Sequence, residues 1–160
     1  MKILDNAQWG FESNCFVCEA VNTRGLRVPF SHDENRSAVV AECSLGSEFS
    51  GAPNFVHGGI VSAILDEAMA WAAIAIAGQW AVTHTTSTTF DRPIKVGSTY
   101  RVEASIAAVV DDRIDPFAPI LAAGRQVRPP PHSTSRPPGP AQTPPPAGAA
   151  AAGPNPATSP

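Results

Sequence analysis

Proline is distributed so unevenly along the 160 residues that the chain divides into two parts with different folding capacities. Of its 17 prolines, three occur before residue 113 and the other 14 lie between Pro116 and Pro160. Proline cannot donate a backbone hydrogen bond and interrupts both helices and central strands. From Pro129 onward the sequence has neither a helical nor a strand period, and Arg136 is its one charged residue. This stretch is predicted to be disordered, with polyproline II character.

Charged residues follow the same division. All 14 acidic residues lie at or before Asp115, together with eight of the 11 basic ones, so this part has a net charge of −6. It contains no basic cluster, and we therefore expect neither nucleic acid nor an anionic membrane as a partner. Three cysteines cannot form a fully paired disulfide framework, and Met1–Asp5 opens no apolar signal segment. These features predict a cytoplasmic protein with reduced thiols.

Apolar and β-branched patterns predict several strands around one helix. Alternation or β-branched content predicts strands at four places: Leu26–Phe30, Ser37–Leu45, Ala81–Phe90 and Thr99–Val110. The almost uninterrupted apolar run Ile60–Ala77 predicts a buried helix that ends near Gly78. The order of two strands, one helix and two strands predicts an α+β fold, with the helix lying on an antiparallel sheet.

Two features of the predicted helix bear on its surroundings. Asp66 and Glu67 lie near its middle, and each would cost about 3 kcal/mol at the centre of a bilayer, so a helix buried in protein fits better than a membrane span. Glu67 is predicted to be a helix-surface or ion-pair residue.

Trp71 and Trp80, near the end of the helix, are predicted to pack against other apolar side chains, and the alternative for both is the lining of an acyl pocket.

The strongest local motif is His57-Gly58-Gly59, followed along the helix by Asp66. Two glycines allow a ligand to approach the backbone closely, and N–H groups at a helix start lie at the positive end of its dipole. Such donors suit an oxyanion, for example a polarised thioester carbonyl. A carboxylate in an apolar run is costly unless it is paired or functional. The alternative is a plain glycine turn with a carboxylate that caps a backbone group.

A set of motifs together resembles the hotdog-fold thioesterases of the phenylacetate-pathway (PaaI-like) group. They are Cys15-Phe16-Val17-Cys18, Asn22, Gly25-Leu26, His57–Met69 (HGGIVSAILDEAM), Val82-Thr83 and Arg92–Gly97 (RPIKVG). The resemblance extends over about residues 15–110. It implies a hotdog fold, in which an antiparallel sheet wraps a long central helix and two subunits share paired active sites.

The resemblance also implies roles for three catalytic residues. The N–H of Gly58 would bind the thioester carbonyl, and Asp66 would act as general base or as nucleophile. Thr83, ten positions before the proline of the RP turn, would help to position the water. The function implied is that of an acyl-CoA thioesterase, with no metal and no organic cofactor.

Three further residues are implied at the substrate. His57 and Gly59 belong to the turn that holds the carbonyl, where the histidine braces the backbone. Related enzymes often have Asn or Gln six positions before the histidine, and this chain has Gly51 there. Asn54 is the candidate to take over that function.

Partners and alternatives follow from the same residues. An acyl-CoA thioester is the expected substrate. Gly58 and Asp66 lie about 12 Å apart on one helix, too far to act on one carbonyl within a single subunit. This distance predicts a homodimer or homotetramer. A hotdog hydratase is disfavoured. Such enzymes are expected to have His five residues after the aspartate, and this chain has Trp71 five residues after Asp66. The alternative from another class is a non-catalytic acyl-CoA-binding or dimerisation module, or a defective product of a shifted reading frame.

Cys15 and Cys18 have the spacing of zinc ligands, but a structural zinc site needs four. Cys43 and His32 are the remaining candidates. Buried thiols are the preferred interpretation, and no metal site is predicted.

The predicted domain organisation has three parts. Residues 1–14 form a lead-in, 15–112 a hotdog thioesterase-like domain, and 113–160 a Pro/Ala-rich disordered tail outside the family. The fold is thus predicted to lack its last strands. A shifted reading frame in a GC-rich gene and a genuine fused linker would both give this sequence.

Overall fold

The computed structural model describes residues 1–10, 12–110 and 113–122. Within them the chain forms one α-helix, α1 (Gly58–Ala75), and short 3-10 helices at Asn6–Trp9 and Ser47–Phe49. Its strands are β1 (Lys2–Ile3), β2 (Phe30–Asp33), β3 (Ala38–Ser44), β4 (Ser50–Ala52), β5 (Phe55–Val56), β6 (Thr99–Val110), β7 (Arg113–Phe117) and β8 (Ile120–Ala122).

The main sheet is antiparallel and has β6 at its centre. Its order is β1-β2-β3-β6-β7, and β8 pairs with β6 as well. β3 lies along one edge of β6, in a register that pairs Val39 with Ala104 and Ser44 with Thr99. Both β7 and β8 lie along the other edge, where each covers a different half of β6. Strands β4 and β5 form a separate hairpin just before the helix.

Helix α1 packs against this sheet through an apolar face. Its buried residues recur at the spacing of one helix face and continue over its last turns: Val61, Ile64, Leu65, Ala68, Met69, Trp71, Ala72 and Ala73. All of them except Met69 and Ala73 form one core with inward side chains of the sheet, among them Val39, Ala41, Val102 and Ala104. Each large aliphatic side chain that is fully buried contributes about 1.5–3 kcal/mol. The predicted α+β architecture, one long helix against an antiparallel sheet, is confirmed.

Among the described residues, one helix is long and apolar enough to cross a membrane, judged by length and composition alone. This helix is α1, with a mean hydropathy of 1.4. The core helix of a soluble protein meets the same criterion, and α1 lies on the sheet. This agrees with the expectation of a helix buried in protein.

Two of the predicted strands are confirmed and two differ. β3 and β6 form within the predicted ranges. In the segment Leu26–Phe30, only Phe30 belongs to a strand. The backbone before Phe30 is hydrogen-bonded to a loop instead, since the N–H groups of Leu26 and Val28 donate to the carbonyls of Phe16 and Val17. The segment Ala81–Phe90 contains no strand, and one residue in it, Val82, forms an isolated β-bridge.

The β-branched content of Ala81–Phe90 was thus not enough to make a strand. β-Propensity expresses how well a side chain fits a pleated and partly buried surface, and it acts only where a neighbouring strand is available. No named strand of the described chain pairs with this segment. Its apolar side chains Val82 and Phe90 are about half exposed, as is Trp80 directly before it.

The structure also extends the sheet beyond the predicted boundary at residue 112. β7 and β8 occupy Arg113–Phe117 and Ile120–Ala122 and pair with β6. Pro116 lies inside β7, opposite Ile106. A proline is tolerated in a strand at the sheet edge, where its missing N–H would face outward. The predicted disordered tail lies, from residue 123 onward, outside the described residues.

The lead-in is more ordered than expected. β1 pairs Lys2 with His32 and Ile3 with Ser31, and Leu4 is buried in the core. The N–H of Leu4 donates to the Phe30 carbonyl at 3.0 Å. A two-residue strand is too short to show a period, so the sequence pattern did not reveal it.

Candidate active site

The start of α1 is built by the histidine that precedes it. His57 is the N-cap, in an extended conformation, and its Nδ1 accepts the N–H of Gly59 at 2.9 Å. An Nδ1 that accepts leaves the ring proton of the neutral imidazole on Nε2. The ring therefore satisfies one of the free N–H groups of the helix start. The bracing role that the resemblance implied for His57 stays a prediction, to which this hydrogen bond lends a geometric basis.

Two glycines make room for this cap. A Cβ on Gly59 would lie 3.1 Å from the His57 Nδ1, and a Cβ on Gly51 would lie 2.8 Å from the His57 Cα. Gly51 belongs to β4, which therefore passes directly against the backbone of His57. At the position where related enzymes often have Asn or Gln, this chain thus has a close backbone contact and no space for a side chain.

The RPIKVG segment runs along the β4–β5 hairpin beside the helix start. The Val56 N–H donates to the Ile94 carbonyl at 2.8 Å, and the Val96 N–H donates to the Asn54 carbonyl at 3.0 Å. Asn54 itself has a φ of 68°. Asn54 follows Pro53, and this pair is typical of a tight turn with a left-handed second residue. The exposed Asn54 is therefore positioned by the turn of the β4–β5 hairpin, where its carbonyl holds Val96.

Gly58, the first residue of α1, has an exposed backbone. Among the described residues, none accepts a hydrogen bond from its N–H. The ring of Phe90 lies beside Gly58, since a Cβ built on Gly58 would be 3.5 Å from the Phe90 Cζ. The site thus presents a free donor at the positive end of the helix dipole next to an aromatic surface. This arrangement suits a carbonyl oxygen that gains negative charge.

The second part of the site is a carboxylate and a hydroxyl. Thr83 Oγ1 donates to Asp66 Oδ1 at 2.7 Å. Asp66 lies on α1, and Thr83 belongs to the segment that follows the helix, so the contact joins two elements. It occupies one carboxylate oxygen and leaves Oδ2 available. The two residues predicted to activate and position a water are thus brought together.

These two parts of the site do not meet within one chain. Gly58 and Asp66 are eight residues apart on a continuous helix, which corresponds to about 12 Å along its axis. A carbonyl bound to Gly58 is therefore out of reach of the carboxylate on the same helix.

Glu67 is placed differently from the prediction of a helix-surface or ion-pair residue. It is half-buried, and its carboxylate forms a group with the sulfurs of Cys15 and Cys18. Burial raises the pKa of Glu67 to about 7. The pKa of Cys15 is lowered, mainly by its hydrogen bond with the Cys18 side chain, and the same bond raises the pKa of Cys18. The CxxC spacing indicated the two thiols, but nothing in the sequence indicated Glu67 as their neighbour.

The remaining residues of interest have simpler environments. Trp71 is buried in the core, as predicted, and Trp80 is half exposed. His84 is exposed and contacts the Thr85 hydroxyl through Nδ1. Cys43 is buried on β3, and neither it nor His32 belongs to the group around Glu67.

Comparisons with known proteins agree with this fold. Residues 53–113 match the model of the thioesterase superfamily. Among solved structures, a thioesterase superfamily protein is similar with a TM-score of 0.61 and 24% identity, over 71% of this chain and 55% of that one. The E. coli PaaI protein of the phenylacetic acid degradation operon is similar with a TM-score of 0.53 and 19% identity, over 62% and 75%.

A third similar structure is an acyl-CoA hydrolase variant from Staphylococcus aureus in complex with coenzyme A. Its TM-score is 0.51 and its identity 24%, over 54% of this chain and 52% of that one. The described chain thus spans only about half the length of the first and third of these structures. No curated protein matches the chain. The fold is the hotdog fold, and residues 53–113 match the thioesterase superfamily model, in agreement with the resemblance to the PaaI-like group.

Proposed function

We propose that this protein is an acyl-CoA thioesterase in which Gly58, Asp66 and Thr83 carry the reaction. The observation that carries the proposal is the 2.7 Å hydrogen bond from Thr83 Oγ1 to Asp66 Oδ1. It holds a carboxylate on the helix whose first N–H is free. The similarity to an acyl-CoA hydrolase that binds coenzyme A supports the substrate class.

The chemistry needs only side chains and backbone of this fold. The Gly58 N–H donates to the thioester carbonyl and stabilises the negative charge that develops on its oxygen. Asp66, oriented by Thr83, takes a proton from a water through Oδ2, and the water oxygen attacks the carbonyl carbon. The C–S bond then breaks, and the thiol of coenzyme A leaves with a proton. In the nucleophilic alternative, Asp66 Oδ2 attacks the carbonyl itself, and the C–S bond breaks as coenzyme A leaves as a thiolate. Water then hydrolyses the resulting anhydride, which releases the acid and restores the Asp66 carboxylate.

We also propose that the active unit is a homodimer or a homotetramer. Two subunits that face each other would bring the Asp66 of one helix to the Gly58 of the other, which a single helix does not achieve over about 12 Å. The protein would act in the cytoplasm, where its three free cysteines remain reduced.

The test is the Asp66→Asn variant, with Asp33→Asn on β2 as the matched control. Hydrolysis of a panel of acyl-CoAs is followed by detection of the free thiol, and binding of the same thioesters is measured in parallel. We expect Asp66→Asn to lose at least about 10²-fold in turnover and to keep binding, since a general base or nucleophile contributes at least that much.

The outcomes separate the proposal from its alternatives. Near-normal turnover by Asp66→Asn would remove Asp66 from the mechanism. Binding without turnover in the unmodified chain would instead favour a non-catalytic acyl-CoA-binding module. Light scattering that shows an active monomer would contradict the proposed assembly.

A further inference from the structure

We propose that Cys15, Cys18 and Glu67 form a binding site for one zinc ion, apart from the catalytic residues. The site joins two segments that are distant in the chain: the two cysteines lie in the loop before β2, and Glu67 lies on α1. The two sulfurs and a carboxylate oxygen lie within 4.8 Å of one another, and all three residues are half-buried. They are thus screened from bulk water but reachable by a solute.

The spacing of these atoms suits a tetrahedral ion. With metal–sulfur bonds of about 2.3 Å and metal–oxygen bonds of about 2.1 Å, tetrahedral ligands lie about 3.6–3.8 Å apart. The three ligand atoms lie within 4.8 Å of one another, so each pair is at most about 1 Å farther apart than this separation. Three protein ligands leave a fourth position for water or another small ligand.

The surroundings of the sulfurs favour a thiolate–metal site. The backbone N–H groups of Val17 and Cys18 donate to Cys15 Sγ at 3.3 and 3.4 Å. The Asn6 side-chain amide donates to Cys18 Sγ at 3.6 Å. Donors directed at both sulfurs stabilise negative charge there, as partners of metal ligands commonly do. The loop therefore orients both sulfurs toward the helix before any ion binds.

The donor set selects the ion. Two thiolates and a carboxylate in one small space repel each other, and a divalent cation offsets most of their charge. Thiolates favour zinc over magnesium or calcium, which prefer oxygen ligands. The site would attach the loop at residues 15–18 to α1 at the residue after Asp66. The proposed hydrolysis does not use this ion, and the inference is therefore independent of the proposed function.

The experiment uses the reduced, full-length chain without an affinity tag. The protein is dialysed against a buffered series of free Zn²⁺, and bound zinc is measured by elemental analysis. We expect about one zinc per chain, and the loss of this zinc in Cys15→Ser and Cys18→Ser. Glu67→Gln should bind zinc at least tenfold more weakly, since the loss of even an outer partner of a metal ligand commonly lowers metal affinity 10–100-fold. Cys43→Ala and Glu42→Gln are the matched controls and should bind as the unmodified chain does.

Two further measurements keep the test decisive if a cysteine variant fails to fold. Zinc should protect Cys15 and Cys18 of the unmodified chain from alkylation, as read by mass spectrometry. Cobalt should give a thiolate-to-metal charge-transfer band that weakens in Glu67→Gln. Less than about 0.1 zinc per chain, or the same affinity in Glu67→Gln as in Glu42→Gln, would overturn the proposal.

Discussion

Removing the Thr83 hydroxyl tests whether this side chain orients the proposed base. Thr83→Val keeps the shape of the side chain and deletes the donor of the 2.7 Å bond to Asp66. A hydrogen bond to a charged group contributes about 1.5–3 kcal/mol where it is buried, and this one is exposed. We therefore expect a loss of about 1–2 kcal/mol, which at 1.36 kcal/mol per tenfold corresponds to a decrease of about 5–30-fold in kcat/KM.

The assay is steady-state hydrolysis of an acyl-CoA with detection of the released thiol. Because Thr83 acts through Asp66, kcat should fall while KM stays nearly unchanged. Thr83→Ser, which keeps the hydroxyl, should retain most of the activity, and Thr86→Val in the same exposed segment should be neutral. The reasoning is refuted if Thr83→Val stays within twofold of the unmodified chain, or if Thr83→Ser loses as much as Thr83→Val.

Three further predictions concern the helix start and the core. Gly58→Pro removes the proposed donor but suits the first position of a helix, so we expect at least a 10²-fold loss of turnover with the fold intact. Gly58→Ala keeps the N–H and should be milder, and equal losses in the two variants would argue against an N–H role. Gly51→Ala places a Cβ 2.8 Å from the His57 backbone, and thermal unfolding should show a loss of about 1–3 kcal/mol; unchanged stability would contradict the close contact. The Trp71 Nε1 is buried without a hydrogen-bond partner among the described residues. Trp71→Ala should lower the free energy of unfolding by about 3–5 kcal/mol, and Trp71→Phe should lower it by less. Denaturant unfolding measures this difference, and a similar cost for both would show that the indole N–H is satisfied.

The sequence was informative where one element alone decides the outcome. The apolar run after His57 predicted α1, and alternation predicted β3 and β6, because a buried face leaves its period in the sequence. The family resemblance singled out Asp66 and Thr83 separately, and the structure joins the two side chains by a hydrogen bond.

The sequence was less informative where the outcome depends on a partner. Ala81–Phe90 has the composition of a strand and forms none, because no named strand of the described chain pairs with it. The domain was predicted to end at residue 112, before a proline-rich tail, yet an edge position accepts Pro116 in β7. Glu67 looked like a surface residue, since only the folded chain shows the loop with Cys15 and Cys18 against it. Side-chain neighbours from distant segments leave no local pattern.

The central place of β6 has a consequence for the order in which a newly made chain can fold. α1 is complete at Ala75, but Val102 and Ala104, which cover one side of it, belong to β6. They follow about 30 residues later, which at about 5–20 residues per second means about 2–6 s of translation. Of the main-sheet strands that contact α1, β2 and β3 are already made at that point, but β6 and β7 are not. In a nascent chain the apolar face of α1 therefore stays without part of its final cover for seconds.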